Sequence, residues 1–96
     1  MSERVRNVPR ITFTSHLERQ LGCRSETVAG GTVRDALADY FLKHPATRTH
    51  LLDAQGALRR HVVLFIDGEQ LNDRAAQSDA VSPGAVLHVM QALAGG

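Results

Sequence analysis

The stretch that decides the fold is the C-terminal run Val86-Leu87-His88-Val89-Met90-Gln91-Ala92-Leu93-Ala94-Gly95-Gly96. Its first part predicts a β-strand, which leads directly into two terminal glycines. Because glycine has no Cβ, such an end takes almost any backbone conformation and passes through a narrow slot. The run therefore predicts a strand that delivers the Gly96 carboxylate to another protein's active site. The alternative is an ordinary terminal segment without a function.

Composition limits the chain to one small domain. Its 96 residues are 43% hydrophobic and 22% charged, which is typical of a single compact soluble domain with a small core and no large enclosed active site. The net charge is +1, and the eleven Lys and Arg residues are spread along the chain. Arg4, Arg6 and Arg10 make only the N-terminus locally basic, so we expect no nucleic-acid partner.

Residue types that often carry chemistry are scattered. Cys23 is the single cysteine, which excludes an internal disulfide and favours a reducing cytoplasm. An incidental loop cysteine is favoured over a reactive thiol, since no partner residue is near Cys23 in sequence. The five histidines do not have the spacing of metal ligands, so we expect no metal site. They are His16, His44, His50, His61 and His88.

No long apolar run or signal-peptide pattern is found, so we expect a cytoplasmic protein without a membrane partner.

Two strand patterns open the domain after a polar lead-in, residues 1–9. Residues 10–17 alternate β-branched and aromatic side chains with polar ones, which predicts a half-buried strand. Residues 18–22 interrupt the pattern, and residues 24–29 predict a second short strand with Val28 facing inward. Because the connection between them is short, we expect the two strands to form a hairpin.

One main helix is predicted after Gly30-Gly31. The Thr32 hydroxyl is in position to cap it, and Asp35 lies in its first turn, where a negative charge is favourable. Apolar and aromatic residues then recur at helical spacing, namely Val33, Ala36, Leu37, Tyr40, Phe41 and His44. Pro45 predicts the end of the helix one or two residues earlier.

An irregular connection and three further strands follow the helix. The connection covers residues 45–60 and is anchored by Leu51-Leu52. The apolar run of residues 61–66 is followed by Asp67-Gly68, a strong hairpin signal. A short return strand, residues 69–71, leads into a polar loop, residues 72–80. A Ser-Pro-Gly turn, residues 82–84, then precedes the final strand, residues 85–90.

The resulting order is β-β-α-β-β-β, an α+β pattern with about five strands and one main helix. The helix has to cover one face of a mixed sheet, because these elements have no other way to bury their apolar stripes. This architecture is the β-grasp (ubiquitin-like) fold, in which the first and last strands are adjacent and parallel. We expect a β-grasp domain over residues 10–91, followed by a flexible carrier tail, residues 92–96.

Four short motifs occupy defined positions in this order: residues 13–18, the helix start Gly31-Thr32-Val33, the hairpin residues 65–69 and the end Leu93-Ala94-Gly95-Gly96. Together they resemble the MoaD/ThiS family of ubiquitin-like sulfur carriers, from about Ile11 to Gly96. The long connection is more similar to the small subunit of molybdopterin synthase, in molybdenum cofactor biosynthesis, or to the cysteine-forming carrier CysO than to the thiamine carrier ThiS. Gln91 departs from the family, since many relatives have proline there.

The resemblance implies a carrier and not an enzyme. An E1-like activating enzyme of the MoeB/ThiF type would adenylate the Gly96 carboxylate with ATP, and persulfide sulfur would replace AMP to leave a thiocarboxylate. A sulfur-accepting synthase subunit would take the sulfur. Leu93, Ala94 and Gly95 would serve in recognition of the tail. The carrier would need no bound cofactor and no catalytic group, because its contribution is positioning.

A partner surface is expected on the sheet face opposite the helix. Alternation along the last strand turns Leu87 and Val89 toward the helix. The sheet register decides which residues of the hairpin strand lie on the open face, Val63 and Phe65 or Val62, Leu64 and Ile66. The candidate surface is an apolar patch of Phe65, Val86, His88 and Met90. Its alternative is a set of ordinary scattered surface hydrophobes.

Two other function classes remain open. A ubiquitin-like protein modifier or binding module would use the same tail for an isopeptide bond, and it shares the adenylation step, so the sequence does not separate it from a carrier. A small enzyme is disfavoured because no nucleophile can be paired with a base. The final sulfur acceptor also stays open among a pterin, a thiazole precursor, a cysteine precursor, a siderophore and a tRNA.

Overall fold

The computed structural model describes residues 8–92. This part of the chain contains five strands and three helices. In chain order they are β1 (Arg10–Phe13), α1 (Ser15–Leu21), β2 (Glu26–Thr27), α2 (Val33–Lys43), α3 (Pro45–Leu51), β3 (Val62–Ile66), β4 (Glu69–Gln70) and β5 (Val86–Gln91). Residues 1–7 of the predicted lead-in and 93–96 of the predicted tail lie outside the described residues, so those two boundaries stay predictions.

The strands form one mixed sheet in the order β2-β1-β5-β3-β4. β1 and β5 are parallel, with Ile11 opposite Leu87, and the other neighbouring pairs are antiparallel. The predicted β-grasp architecture is confirmed, including the parallel pairing of the first and last strands. β5 is the middle strand, so its backbone is paired on both sides.

Helix α2 packs on one face of this sheet, as predicted. Its N-cap is Thr32, whose hydroxyl accepts a 3.2 Å hydrogen bond from the Asp35 amide. The apolar stripe of the helix and the inward side chains of the strands form one buried core, which includes Val33, Ala36, Leu37, Tyr40 and Phe41 with Ile11, Phe13, Leu64, Leu87 and Val89. Removing this apolar surface from water, at about 25 cal/mol per Å², holds the helix on the sheet.

The expected strand over residues 10–17 is wrong beyond Phe13, where helix α1 begins instead. Thr14 caps this helix by accepting a 3.4 Å hydrogen bond from the Leu17 amide. Gly22 ends the helix with φ at 71°, a left-handed conformation that glycine adopts without a steric penalty. The capping hydroxyl and the closing glycine therefore outweigh the short alternation that predicted a strand.

The short connection expected between β1 and β2 is also wrong, because α1 lies between the two strands. The two strands still pair antiparallel, with Ile11 opposite Glu26. The Pro9 carbonyl accepts a 2.9 Å hydrogen bond from the Val28 amide, which continues the pairing toward the N-terminus. β2 contains only two residues, whereas Val28 is buried, as predicted.

A third helix, α3, replaces the first part of the expected irregular connection. Pro45 occupies its first turn, where a missing amide costs no hydrogen bond and the fixed φ suits a helix. The same proline follows the end of α2 at Lys43, as predicted. Leu51 and Leu52 are both buried, which confirms the predicted hydrophobic anchor.

The hairpin of β3 and β4 is confirmed at Asp67-Gly68. Both residues have positive φ, 50° and 89°, as a two-residue turn between twisted strands requires. The return strand β4 ends at Gln70, one residue earlier than predicted.

None of the helices within residues 8–92 has the length and apolar character that crossing a bilayer requires.

Candidate functional site

The candidate carrier tail starts from the middle of the sheet. Gln91, the last residue of β5, pairs with Val62 of β3, and the Ala92 amide donates a 2.8 Å hydrogen bond to the His61 carbonyl. Ala92, predicted to be the first residue of a flexible tail, is therefore held by the sheet. The tail begins from a fixed base on the central strand.

The residues predicted to recognise partners and to be adenylated follow directly. Leu93, Ala94, Gly95 and Gly96 lie outside the described residues, so their roles stay predictions. What the structure establishes is the point at which they join the domain.

The two faces of β5 differ as alternation predicts. Leu87 and Val89 are fully buried beneath α2. On the opposite face, Val86 is exposed, and His88 and Met90 are half-buried. The predicted orientation of this strand is confirmed, whereas its use as a partner surface stays a prediction.

The sheet register selects which β3 residues join this face. Phe65 pairs with His88 and Val63 pairs with Met90, and both β3 residues are half-buried. Val62 and Leu64 are buried in the core, and Ile66 packs against it. The first of the two predicted alternatives is therefore correct. We call the resulting surface the open sheet face, which consists of Thr12, Val63, Phe65, Val86, His88 and Met90.

Thr12 belongs to this face although its residue type gave no reason to single it out. Its Oγ1 lies 2.7 Å from Nδ1 of His88, a hydrogen bond between residues 76 positions apart in sequence. The two residues are direct partners in the parallel pair of β1 and β5. Alternation in β1 was a signal that Thr12 faces away from the core, but only the register reveals its partner. This bond restricts the imidazole ring on an otherwise apolar surface.

A small cavity lies beside the base of the tail. Its volume is about 130 Å³, and His50, His61 and Gln91 contribute to its wall. Typical small-molecule pockets begin at about 300 Å³, so this cavity is too small for a ligand of ordinary size. Across residues 8–92, no three His, Cys, Asp or Glu side chains come close enough together to hold a metal ion.

Cys23 is buried, with 3% of its surface exposed. Burial raises the pKa of its thiol. Because the thiolate is the reactive form, a buried cysteine with a raised pKa is a poor nucleophile. The predicted lack of reactivity fits this environment, although the side chain lies in the core and not in an open turn.

Comparison with known proteins gives matches in structure. No protein-family model matches the chain, and no curated protein matches its sequence significantly. SAMP1 from Haloferax volcanii is 26% identical, over 92% of this chain and 98% of its own, with a TM-score of 0.74. A chain of the Amycolatopsis orientalis BexX/CysO complex is 21% identical, over 92% and 99%, with a TM-score of 0.76.

A further solved structure, Mycobacterium tuberculosis CysO, is 18% identical, over 88% of this chain and 99% of its own, with a TM-score of 0.75. At identities this low, the likeness to the two CysO structures shows the fold alone. Together with the SAMP1 match, these comparisons confirm the resemblance that the sequence motifs predicted.

Proposed function

The chain shares its fold with the ubiquitin-like sulfur carriers of the MoaD/ThiS type, and from this we propose that it is a sulfur carrier activated at Gly96. The observation that carries the proposal is the position of β5. The strand that leads to the Gly-Gly end is the central strand, parallel to β1 and antiparallel to β3. A partner that binds the sheet therefore also fixes the start of the tail, which is the positioning that a carrier has to supply.

The proposed reaction has three steps. In the active site of an E1-like enzyme of the MoeB/ThiF type, the Gly96 carboxylate attacks the α-phosphorus of ATP and pyrophosphate leaves. The terminal sulfur of a persulfide then attacks the acyl carbon and AMP leaves. A thiol reduces the resulting acyl disulfide and releases the thiocarboxylate, which donates its sulfur to a synthase subunit. Activation is needed because a carboxylate is a poor electrophile until its oxygen becomes a good leaving group.

Chain length limits where the activating enzyme docks. Gly96 is four residues beyond Ala92, and four extended residues span at most about 14 Å. The enzyme must therefore bind the domain close to the end of β5. The open sheet face meets this condition, because Met90 on that face is two residues before Ala92. We assign Phe65, Val86, His88 and Met90 to the docking surface.

Intact-mass spectrometry tests the proposal. The protein is incubated with an E1-like enzyme, ATP and a persulfide donor. We expect an AMP adduct without the sulfur donor, and the exchange of one oxygen for sulfur with it. A chain that gains neither AMP nor sulfur from any enzyme of the MoeB/ThiF type would overturn the proposal.

The alternative function is that of a ubiquitin-like protein modifier. It is favoured by the likeness to a protein named small archaeal modifier protein 1, at 25% identity and a TM-score of 0.72. A modifier would transfer the same activated carboxylate to a lysine amine. Trapping the products separates the two functions, since a thiocarboxylate without lysine adducts indicates a carrier and lysine-linked products indicate a modifier.

A further inference from the structure

A second concave surface lies between α2, α3 and two turns, and none of the open sheet face lines it. This groove has a volume of about 570 Å³, which is within the about 300 to 1,000 Å³ of typical binding pockets. Much of its wall is apolar, formed by Leu37, Ala38, Phe41, Leu42, Leu52, Ala75 and Ala76. We call it the helix groove.

Leu42 on the rim of the helix groove is the most exposed large hydrophobic residue in the described chain. Its exposure is 82%, whereas Val8 and Val86, the next two, are at 38% and 39%. A single exposed leucine is common on protein surfaces. Here the leucine continues an apolar groove, and a continuous apolar surface of this kind is typical of a partner contact.

The charge of the helix groove is entirely positive. Arg34 on α2 and Arg48 on α3 line it, together with uncharged residues only. Within residues 8–92, neither guanidinium group forms an ion pair. The ion pairs found in this part of the chain all involve Glu26. The carboxylate of the adjacent turn, Asp53, does not line the groove, and its Oδ1 accepts hydrogen bonds from the Gln55 and Ala57 amides. The groove therefore carries two positive charges that form no ion pair in the described part of the chain.

Gln77 adds a hydrogen-bond acceptor to the wall of the groove. The residue is 2% exposed, and its Nε2 donates to the carbonyls of Gly56, at 3.1 Å, and Arg74, at 2.7 Å. These two bonds fix the orientation of the amide, since only a nitrogen donates to carbonyls. In the described part of the chain, Oε1 receives no hydrogen bond and is not fully sealed from solvent, so a ligand N–H group can donate to it.

We propose that the helix groove binds an extended acidic segment of a partner protein, in which carboxylate side chains flank an apolar one. Guanidinium groups bind carboxylates in a bidentate manner, so Arg34 and Arg48 would take the two acidic residues. The apolar residue would pack beside Leu42, and a backbone N–H group of the extended segment would donate to Gln77 Oε1. From Arg34 to Leu42 the helix rises by about 12 Å, a length that about four extended residues cover.

The experiment is a selection from a display library of short random peptides against the whole protein. The enriched binders are then tested against the double variant Arg34→Gln/Arg48→Gln, which takes no part in the selection. Because both arginine side chains are exposed and unpaired in the described chain, this variant should fold, which circular dichroism and a thermal melt verify. We expect enrichment of peptides with Asp or Glu on both sides of an apolar residue, and binding to the double variant that is at least about tenfold weaker.

A second readout locates the bound peptide. NMR shift changes on adding a selected peptide should map to α2, α3 and the turns around Gly56 and Gln77, and Leu42→Ser should weaken binding. Selection of peptides without carboxylates, equal affinity for the double variant, or shift changes on the open sheet face would each overturn the proposal. Concentration-dependent dimers that bury this groove, without acidic binders, would identify a second copy as the occupant and would also overturn it.

This proposal does not depend on the proposed function of the tail. A variant lacking Gly96 should bind the selected peptides as well as the wild type, since the groove contains no tail residue. Failure of sulfur loading with intact peptide binding would overturn the carrier function alone, and the reverse result would overturn the groove alone.

Discussion

The hydroxyl of Tyr40 forms two hydrogen bonds with the backbone of a single residue, Arg24. It donates to the Arg24 carbonyl at 2.8 Å and accepts from the Arg24 amide at 3.0 Å. Tyr40 is fully buried, and burial raises the pKa of its phenol, so the hydroxyl keeps its proton. The bonds tie α2 to the segment that joins α1 to β2.

Tyr40→Phe should destabilise the domain by about 1 to 3 kcal/mol. The ring would stay in the core, but the Arg24 amide and carbonyl would both lose the hydroxyl that is their partner in a partly buried position. The measurement is the free energy of unfolding from urea titration, followed by circular dichroism. A variant with the wild-type urea midpoint would mean that water satisfies the Arg24 backbone equally well.

Two leucines of α2 provide a matched pair for testing which face of the helix is buried. Leu37 is 1% exposed and Leu42 is 82% exposed. Leu37→Ala should cost about 2 to 5 kcal/mol, because it removes buried methyl groups and leaves a cavity. Leu42→Ala should change stability by less than about 0.5 kcal/mol. Equal urea midpoints for the two variants would contradict the described packing.

A substitution of Asp39, also on α2, would be a poorer control for Leu37→Ala than Leu42→Ala is. The Asp39 Oδ2 accepts a 3.0 Å hydrogen bond from the Ala29 amide. Removing that carboxylate would free a backbone donor near β2.

Two adjacent residues of β5, Val89 and Met90, allow the effect of a substitution on folding to be separated from its effect on partner binding. Val89→Asp should unfold the domain, since Val89 is fully buried and a desolvated carboxylate costs several kcal/mol. Met90→Asp should leave the domain folded, because Met90 is half-buried on the open sheet face. It should weaken binding to the activating enzyme. Circular dichroism and a pull-down check both expectations, and a folded Met90→Asp variant that binds the enzyme normally would remove Met90 from the docking surface.

Acid sensitivity should depend on Glu26, which joins β2 to the end of α2. Its carboxylate contacts the His44 imidazole, and Oε1 lies 3.6 Å from Lys43 Nζ. The hydrogen bond with His44, helped by both nearby positive charges, holds the pKa of Glu26 below its ordinary value of 4.5. The folded state therefore takes up the proton at lower pH than the unfolded chain. The resulting stabilisation is complete above pH 4.5 and is lost as the pH falls through the folded-state pKa.

Urea midpoints measured at several pH values test this linkage. Below pH 4.5, the ordinary pKa of the glutamate, wild-type stability should fall more steeply with acidification than that of Glu26→Gln. Glu69→Gln removes an exposed carboxylate on β4 and should retain the steep wild-type dependence. Parallel curves for the wild type and Glu26→Gln would show that this contact contributes nothing.

The tail predictions test the proposed function directly. Deleting Gly96, or adding one residue after it, should abolish ATP-dependent AMP transfer, because the new carboxylate is displaced by about 3.5 Å. A misplacement of only about 1 Å already costs about 100-fold in rate. Gly95→Val should be nearly as harmful, since a β-branched side chain narrows the accessible backbone conformations. Intact mass reports AMP or sulfur gain, and a Gly96 deletion that is still loaded would contradict the assignment.

Stability should be unchanged in these tail variants. The buried core of the described domain contains no residue after Val89, so thermal melts of the deletion and the wild type should coincide. A large loss of stability would mean that reduced loading reflects unfolding and not misplacement of the carboxylate.

Local chemistry allowed much of this protein to be predicted from its sequence. The Thr32 cap, the proline after α2, the Asp67-Gly68 turn and the alternation of β5 each depend on neighbouring residues, and the structure confirms all four. Together they led to the β-grasp order and to the face of β5 on which the candidate surface lies. The helix α1 was missed although its Thr14 cap and Gly22 stop are also local signals, because a short segment carries strand and helix patterns at once.

Only the tertiary structure decided the features that join distant parts of the chain. Sheet register chose Phe65 and Val63 for the open sheet face, since a shift by one residue would have exposed the other side of β3. The bond between Thr12 and His88 spans 76 positions, and the helix groove combines two helices with two turns. Such contacts depend on how the elements pack and not on sequence spacing, so neither the partners of these residues nor the positive groove is visible in the sequence.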